Sequence, residues 1–250
     1  MVFFPVYNVL KQPDITGYTL IMPSVSVGNV GQLAVDLLIN NTSCQKIGLI
    51  HHPALLPLVG GNPYSSSSKD VTTSADLHVA PNLSLVFLQI RSPLIKGERL
   101  SLLKELCTWI KTVGIKEVVV LASCNAYERW SSDQLFGSQL RYLTSKLPET
   151  QLEALRNAGG MELEERTDEN GTKHRFLSGA GFVKQFLDTC ELPTTALFKF
   201  VDEGDNTIDA VALVNYLNAW KTFIKEKDPK WKFPFSWEKM FGEPALPSIY

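Results

Sequence analysis

The chain has 250 residues, 44% apolar and 20% charged, with 24 Lys+Arg against 26 Asp+Glu and a formal net charge of −2. That balance excludes a disordered, collagen-like or low-complexity chain, and it sets aside nucleic acid as a main partner, because phosphate binding needs a basic surface. No run of roughly 18 or more apolar residues occurs, so no transmembrane helix and no membrane partner are expected.

In chain order, Met1 to Leu10 is apolar but has neither a basic stretch nor a small-residue cleavage site, and is not expected to act as a signal peptide. Thr19 to Met22 reads as a strand stopped by Pro23, and Val30 to Ile39 as a helix with Val30, Leu33, Ala34, Leu37 and Leu38 on one face. Lys46 to Ile50 is a second strand, and the polar, Ser-rich Gly60 to Ser74 reads as a loop. Leu83 to Ile90 is a third strand. Glu98 to Val113 is an amphipathic helix, with Gly114 placed to end it. Glu117 to Leu121 is a strand rich in β-branched residues, Asp168 to Lys173 a hairpin turn, and Gly181 to Cys190 a helix. Thr195 to Val201 is a last strand and Ile208 to Ile224 a last helix. Continuous apolar runs suit strands buried on both faces, and their alternation with helices predicts an α/β domain with a mainly parallel sheet.

Two units are expected: an α/β domain over 1–227 and an aromatic- and Pro-rich tail over 228–250. The tail holds Trp231, Phe233, Phe235, Trp237, Phe241 and Tyr250 among prolines. So many rings predict packing on the protein's own body or on a partner. Trp237 and Phe241, four residues apart, are expected to share one helix face against the body.

Four segments could carry chemistry. Ser24 to Gly31 follows a strand and opens a helix. It could cradle an anion, yet it matches no phosphate-binding fingerprint, and a tight βα turn explains it as well. Asp202 to Asn206 ends a strand where α/β folds place ligands. Its carboxylates could work as acid and base, or Asp205 or Asn206 could simply cap the next helix. Cys124 with one of His51, His52, His78 or His174 could form a nucleophile–base pair, against the plainer reading of a small buried Cys and surface His. Arg91, at the end of a buried run, could hold a ligand carboxylate or an internal acid such as Glu203. The four Cys are too few and too spread for a disulfide scaffold or a zinc site, and a reducing compartment is expected. No complete catalytic set emerges. A small-molecule-binding α/β protein or phosphorylase-like hydrolase stays open beside an interaction protein.

Gly17 to Leu38, Pro57 to Tyr64, Leu88 to Ser92, Phe198 to Asn206, Asp209 to Trp220 and the Trp-x-x-x-Phe-Gly of Trp237 to Gly242 together resemble the proteasome assembly chaperone 2 family. The resemblance runs in order through nearly the whole chain and is weakest over Ser131 to Lys173. It implies a three-layer α/β/α sandwich of nucleoside-phosphorylase-like topology. It also implies a non-enzymatic chaperone without cofactor, in the cytoplasm and nucleus. Such a chaperone pairs with proteasome assembly chaperone 1, binds proteasome α subunits, promotes α-ring formation and prevents off-pathway α-ring dimers. Some members of this class end in a hydrophobic-Tyr-any motif, whereas here Tyr250 is the last residue, so that motif is not matched. The final stretch Ala245, Leu246, Pro247, Ser248, Ile249 and Tyr250 is expected to reach a partner.

Overall fold

The computed structural model describes residues 1–5, 13–168, 170–225 and 229–240. In chain order the strands are β1 (Val2–Pro5), β2 (Thr19–Pro23), β3 (Gln45–His51), β4 (Val59–Gly61), β5 (Val71–Thr73), β6 (Ala75–Ala80), β7 (Leu85–Ile90), β8 (Glu117–Asn125), β9 (Leu140–Ser145), β10 (Arg166–Thr167), β11 (Lys173–His174) and β12 (Thr194–Val201). The helices are α1 (Val30–Asn41), α2 (Arg99–Thr112), α3 (Ser132–Phe136), α4 (Glu149–Asn157), α5 (Val183–Thr189) and α6 (Thr207–Lys221). Among the described residues no helix is long and apolar enough to cross a membrane.

Eight strands form one sheet in the order β1-β3-β6-β7-β2-β8-β12-β9. The central four, β7, β2, β8 and β12, run parallel. Antiparallel pairings add β6, β3 and β1 on one side and β9 on the other, so five of the eight strands share one direction. Side chains alternate along each central strand. Val118, Val120, Ala122 and Cys124 of β8 join the apolar layer under α2 and α5, while Val119 and Leu121 join the layer under α1 and α6. β2 and β12 divide in the same way, which yields the expected three layers, α/β/α.

The long apolar helices follow the sequence. Asn29, in the left-handed region at φ 54°, opens α1, and Gly31 then lies so close to β8 that a Cβ there would sit 2.2 Å from the Leu121 carbonyl oxygen. α6 stops at Lys221, three residues before its expected end. Thr222 turns left-handed, and the Asn218 side chain takes the Ile224 N–H at 2.8 Å and returns its own N–H to the Ile224 carbonyl.

Two strands depart from expectation because buried polar residues break their apolar pattern, and a segment read as a loop holds strand residues. β6 carries Asp76 and His78 yet is buried at all six positions. β9 carries Arg141, fully buried and paired with Glu164. The segment read as one loop, Gly60 to Ser74, contributes to the β4–β5 hairpin.

That hairpin is tied down by a buried polar network. Arg91 grips Asp36 of α1 with two N–H···O bonds of 2.5 and 2.9 Å, and donates to Tyr64 Oη at 3.0 Å and Thr72 Oγ1 at 2.9 Å. Thr72 and Thr73 both bond Asp76, whose carboxylate also faces Lys46 Nζ at 2.8 Å. Of the two readings of Arg91 the internal ion pair holds, but not with the acid offered as an example, Glu203. It lies at the end of β12, three strand spacings or about 14 Å across the sheet from β7, whereas Asp36 sits on the helix above. The plainer reading of surface histidines also fails for two of the four: His52 and His78 are buried.

His78 stacks edge-on against Tyr64 and faces Asp76, Lys46, Arg91 and Asp36. Burial is the main cause that lowers it from 6.5 to about 4, so it is neutral in the folded protein at physiological pH. Between those values the unfolded chain binds a proton that the folded chain does not, so stability falls as pH drops through this window. Denaturant titrations at pH 7 and 4.5 should show roughly 2 kcal/mol more loss in the wild type than in His78→Gln. Equal losses would remove His78 as the cause.

Candidate functional site

The two loops singled out in the sequence meet at the C-terminal ends of the parallel strands. A Cβ on Gly28, which has φ 63°, would lie 2.4 Å from Asn206 Nδ2. Beside them opens a cleft of about 650 Å³, bordered by Ser26, Asn125, Tyr127, Gly179, Asp202 and Glu203 among others. This is the position at which open α/β sheets hold ligands.

The serines and asparagines around it are engaged by the protein itself, while the Asp202 and Glu203 carboxylates at its border are exposed. Ser24 Oγ donates to the Ala180 carbonyl at 2.8 Å and accepts from the Phe182 N–H at 2.9 Å. Ser26 Oγ lies 2.8 Å from Ser123 Oγ and accepts the Ser123 N–H, while Ser123 Oγ donates to the Val27 carbonyl. Asn125 Nδ2 bonds Ser178 Oγ and Tyr127 Oη. Asn206 holds the N-cap position of α6, but its side chain folds back onto the Asp202 and Gly204 carbonyls. Asp205 makes the turn instead, its Oδ1 accepting from the Thr207 N–H and hydroxyl at 3.0 and 2.7 Å, which holds its carboxyl below the usual range. These are the bonds of a braced βα corner.

No histidine borders the cleft. Cys124 is buried, and burial pushes its thiol up to about 12, which makes it inert as a nucleophile. His52 Nδ1 accepts the Ala54 N–H at 2.9 Å, and His174 bonds Asp168 at 2.8 Å in the surface hairpin. Among the described residues no group of three or more His, Cys, Asp or Glu is placed to hold a metal ion.

Exposed apolar side chains begin at the cleft and continue in the chain that follows. Tyr127 borders it at 74% exposure. The chain then continues through Trp130, Leu135 and Phe136, the last 89% exposed. The family resemblance is weakest over Ser131 to Lys173, where Leu135 and Phe136 lie. The signal was there as four large apolar residues within ten positions that fit neither a helical nor a strand period.

The tail was expected to pack on the body or on a partner, and its described part packs on the body. Asn40 and Asn41 of α1 both donate to the Lys232 carbonyl at 2.8 Å, Asn41 also takes the Lys232 N–H, and Trp231 Nε1 donates to Asn215 of α6. Trp237 packs on the apolar cluster under α1 and α6, with its ring 5.2 Å from that of Phe233. Phe241, Gly242 and the expected partner-binding residues Ala245 to Tyr250 lie outside the described residues.

Residues 20–218 match the sequence model of the PAC2 family. The chain is similar to the protein named Proteasome assembly chaperone 2 of Xenopus tropicalis, 37% identical over 248 residues that span 93% of this chain and 95% of that one. It is likewise similar to the Homo sapiens protein of the same name, 37% identical over 257 residues, 95% and 97% of the two chains. In fold it resembles Pyrococcus furiosus PbaA, described as an archaeal homolog of proteasome-assembly chaperone. The TM-score is 0.60, the identity 18%, and the likeness covers 82% of each chain.

Melting curves separate the two apolar groups. Trp237→Ala removes a ring packed on the body and should cost about 2 kcal/mol, lowering Tm by roughly 4–8 °C. Phe136→Ser changes a solvated side chain and should leave Tm within about 1–2 °C. An undisturbed Tm in Trp237→Ala would detach the tail from the body.

Proposed function

Because the chain belongs to the PAC2 family, we propose that it is a non-enzymatic assembly chaperone of the 20S proteasome, paired with proteasome assembly chaperone 1. The pair binds α subunits, promotes formation of the α ring and prevents off-pathway α-ring dimers, in the cytoplasm and nucleus. The observation that carries this reading is similarity to proteins named proteasome assembly chaperone 2 over nearly the full length of both chains.

The geometry supports a binding role. An enzyme at the strand ends needs a nucleophile or base free to meet a substrate. Here the cleft serines and asparagines bond one another and the backbone. What the surface offers instead is apolar: exposed Trp130, Leu135 and Phe136 in and before α3, and Phe233 and Phe235 on the tail. Aromatic anchors of this type carry much of the energy of protein interfaces. Ala245 to Tyr250, beyond the anchored Trp237, is the segment assigned to α-subunit contact.

Co-expression with proteasome assembly chaperone 1 should give a stable 1:1 complex in size-exclusion runs, burying more than about 1,200 Å². Deleting Ala245 to Tyr250 should leave that complex intact and weaken capture of α subunits. A monomer that ignores the partner chaperone would overturn the pairing. Unchanged α-subunit capture after the deletion would overturn the role of the tail end.

A further inference from the structure

α1 lies over β8, β2 and β7, so on that face of the sheet β6, β3 and β1 run on beyond the helix. The β4–β5 hairpin stands over this stretch, tied to it through Lys46, which donates to the Val71 carbonyl, and through Thr72 and Thr73, which bond Asp76. Between the hairpin, the end of α1 and the strands lies a trough of about 930 Å³. Phe4 of β1, Ile39 of α1, Leu49 of β3 and Val71 of β5 give it apolar walls. Its size and lining are those of pockets that hold small organic ligands.

The polar side chains inside the trough are matched by the protein, with one exception. Lys46 Nζ lies 2.8 Å from Asp76 and 2.9 Å from the Val71 carbonyl oxygen. Tyr64 Oη donates to Asp36 at 2.6 Å, Thr73 Oγ1 to Asp76 at 2.6 Å, and Cys44 Sγ to the Ile39 carbonyl at 3.3 Å. His78 is the exception. It lines the trough at 7% exposure, and its ring makes an edge-on contact with Tyr64 but no hydrogen bond among the described residues. Neither ring nitrogen is both unpartnered and sealed from solvent. Buried polar groups are normally hydrogen-bonded, and the trough is the side from which His78 can take a partner.

Charge sorts the candidates for that partner. The Lys46 ammonium is already answered by Asp76, and Asp70 is exposed at the rim. A charged ligand would give up its hydration beside His78 without an opposite charge free to meet it. The imidazole, neutral at physiological pH, offers one N–H donor and one acceptor nitrogen. We propose that this trough binds a small, uncharged aromatic molecule bearing an N–H or O–H group, which donates to His78 while its ring packs among Phe4, Leu49 and Val71. The site is separate from the cleft at the strand ends, and the assembly role does not use it.

The test titrates indole and 1-methylindole, which lacks the N–H, into the full, folded chain at pH 7 and follows binding by calorimetry. Indole should bind one to one with a Kd below about 1 mM. 1-Methylindole should bind about fivefold more weakly, the worth of one hydrogen bond. In His78→Phe, which keeps a buried ring and removes its nitrogens, the two probes should bind alike. Val71→Trp, at the half-exposed rim, fills the trough without touching His78 and should weaken indole by about tenfold or more. It serves as the deciding variant if circular dichroism shows that His78→Phe fails to fold. Binding of indole that never saturates, a fivefold preference for indole that persists in folded His78→Phe, or unchanged indole affinity in Val71→Trp would overturn the proposal.

Discussion

An arginine at the end of a buried strand has to find a carboxylate, and the way Arg91 finds Asp36 organises much of this molecule. Both side chains are largely shielded from water, at 17% and 7% exposure. Removing either partner from such a pair strands a charge in the interior, at about 3–5 kcal/mol. The pair joins α1 to the end of β7, and Tyr64 and Thr72 extend it into the β4–β5 hairpin and on to Asp76 and Lys46. Three of the segments that carry the family resemblance, Gly17 to Leu38, Pro57 to Tyr64 and Leu88 to Ser92, converge on this one network. These segments therefore have an architectural role in the fold.

The same logic governs the strand ends. The fold places a cleft where many α/β enzymes hold substrate, and the sequence puts Ser24, Ser26, Ser123, Asn125 and Asn206 around it. Each of these bonds another part of the chain. A corner braced in this way holds α1, α5 and α6 in place over the sheet and leaves recognition to the surface. On the proposed function, the fold is kept while recognition lies in another part of the molecule. The proposal assigns that part to the exposed apolar side chains between Tyr127 and Phe136 and along the tail.

The sequence made the framework legible where burial is purely apolar. β2, β7, β8 and β12, α1 and α2 fall close to their expected bounds, because period-2 and period-3.6 patterns survive in them. It was silent where the interior is polar. Asp76 and His78 hid β6, and Arg141 hid β9, since each depends on partners distant in sequence: Lys46, Thr72 and Glu164. The partner of Arg91 was unreadable for the same reason, as strand order decides which acid lies above it. Of the candidate site, the meeting of Gly28 with Asn206 followed from both loops ending parallel strands. The exposed run from Tyr127 to Phe136 obeys no period and so escaped.

The central claim is that recognition resides in exposed apolar side chains and not in the cleft. Affinity capture of co-expressed proteasome assembly chaperone 1 and α subunits tests it with two double variants. Asp202→Ala with Glu203→Ala removes the carboxylates that border the cleft. Leu135→Ser with Phe136→Ser removes exposed apolar side chains of α3. The account predicts wild-type recovery of partners with the first and at least a tenfold loss with the second, both proteins remaining folded. Loss of partners on changing the cleft carboxylates, with full recovery after changing Leu135 and Phe136, would contradict it.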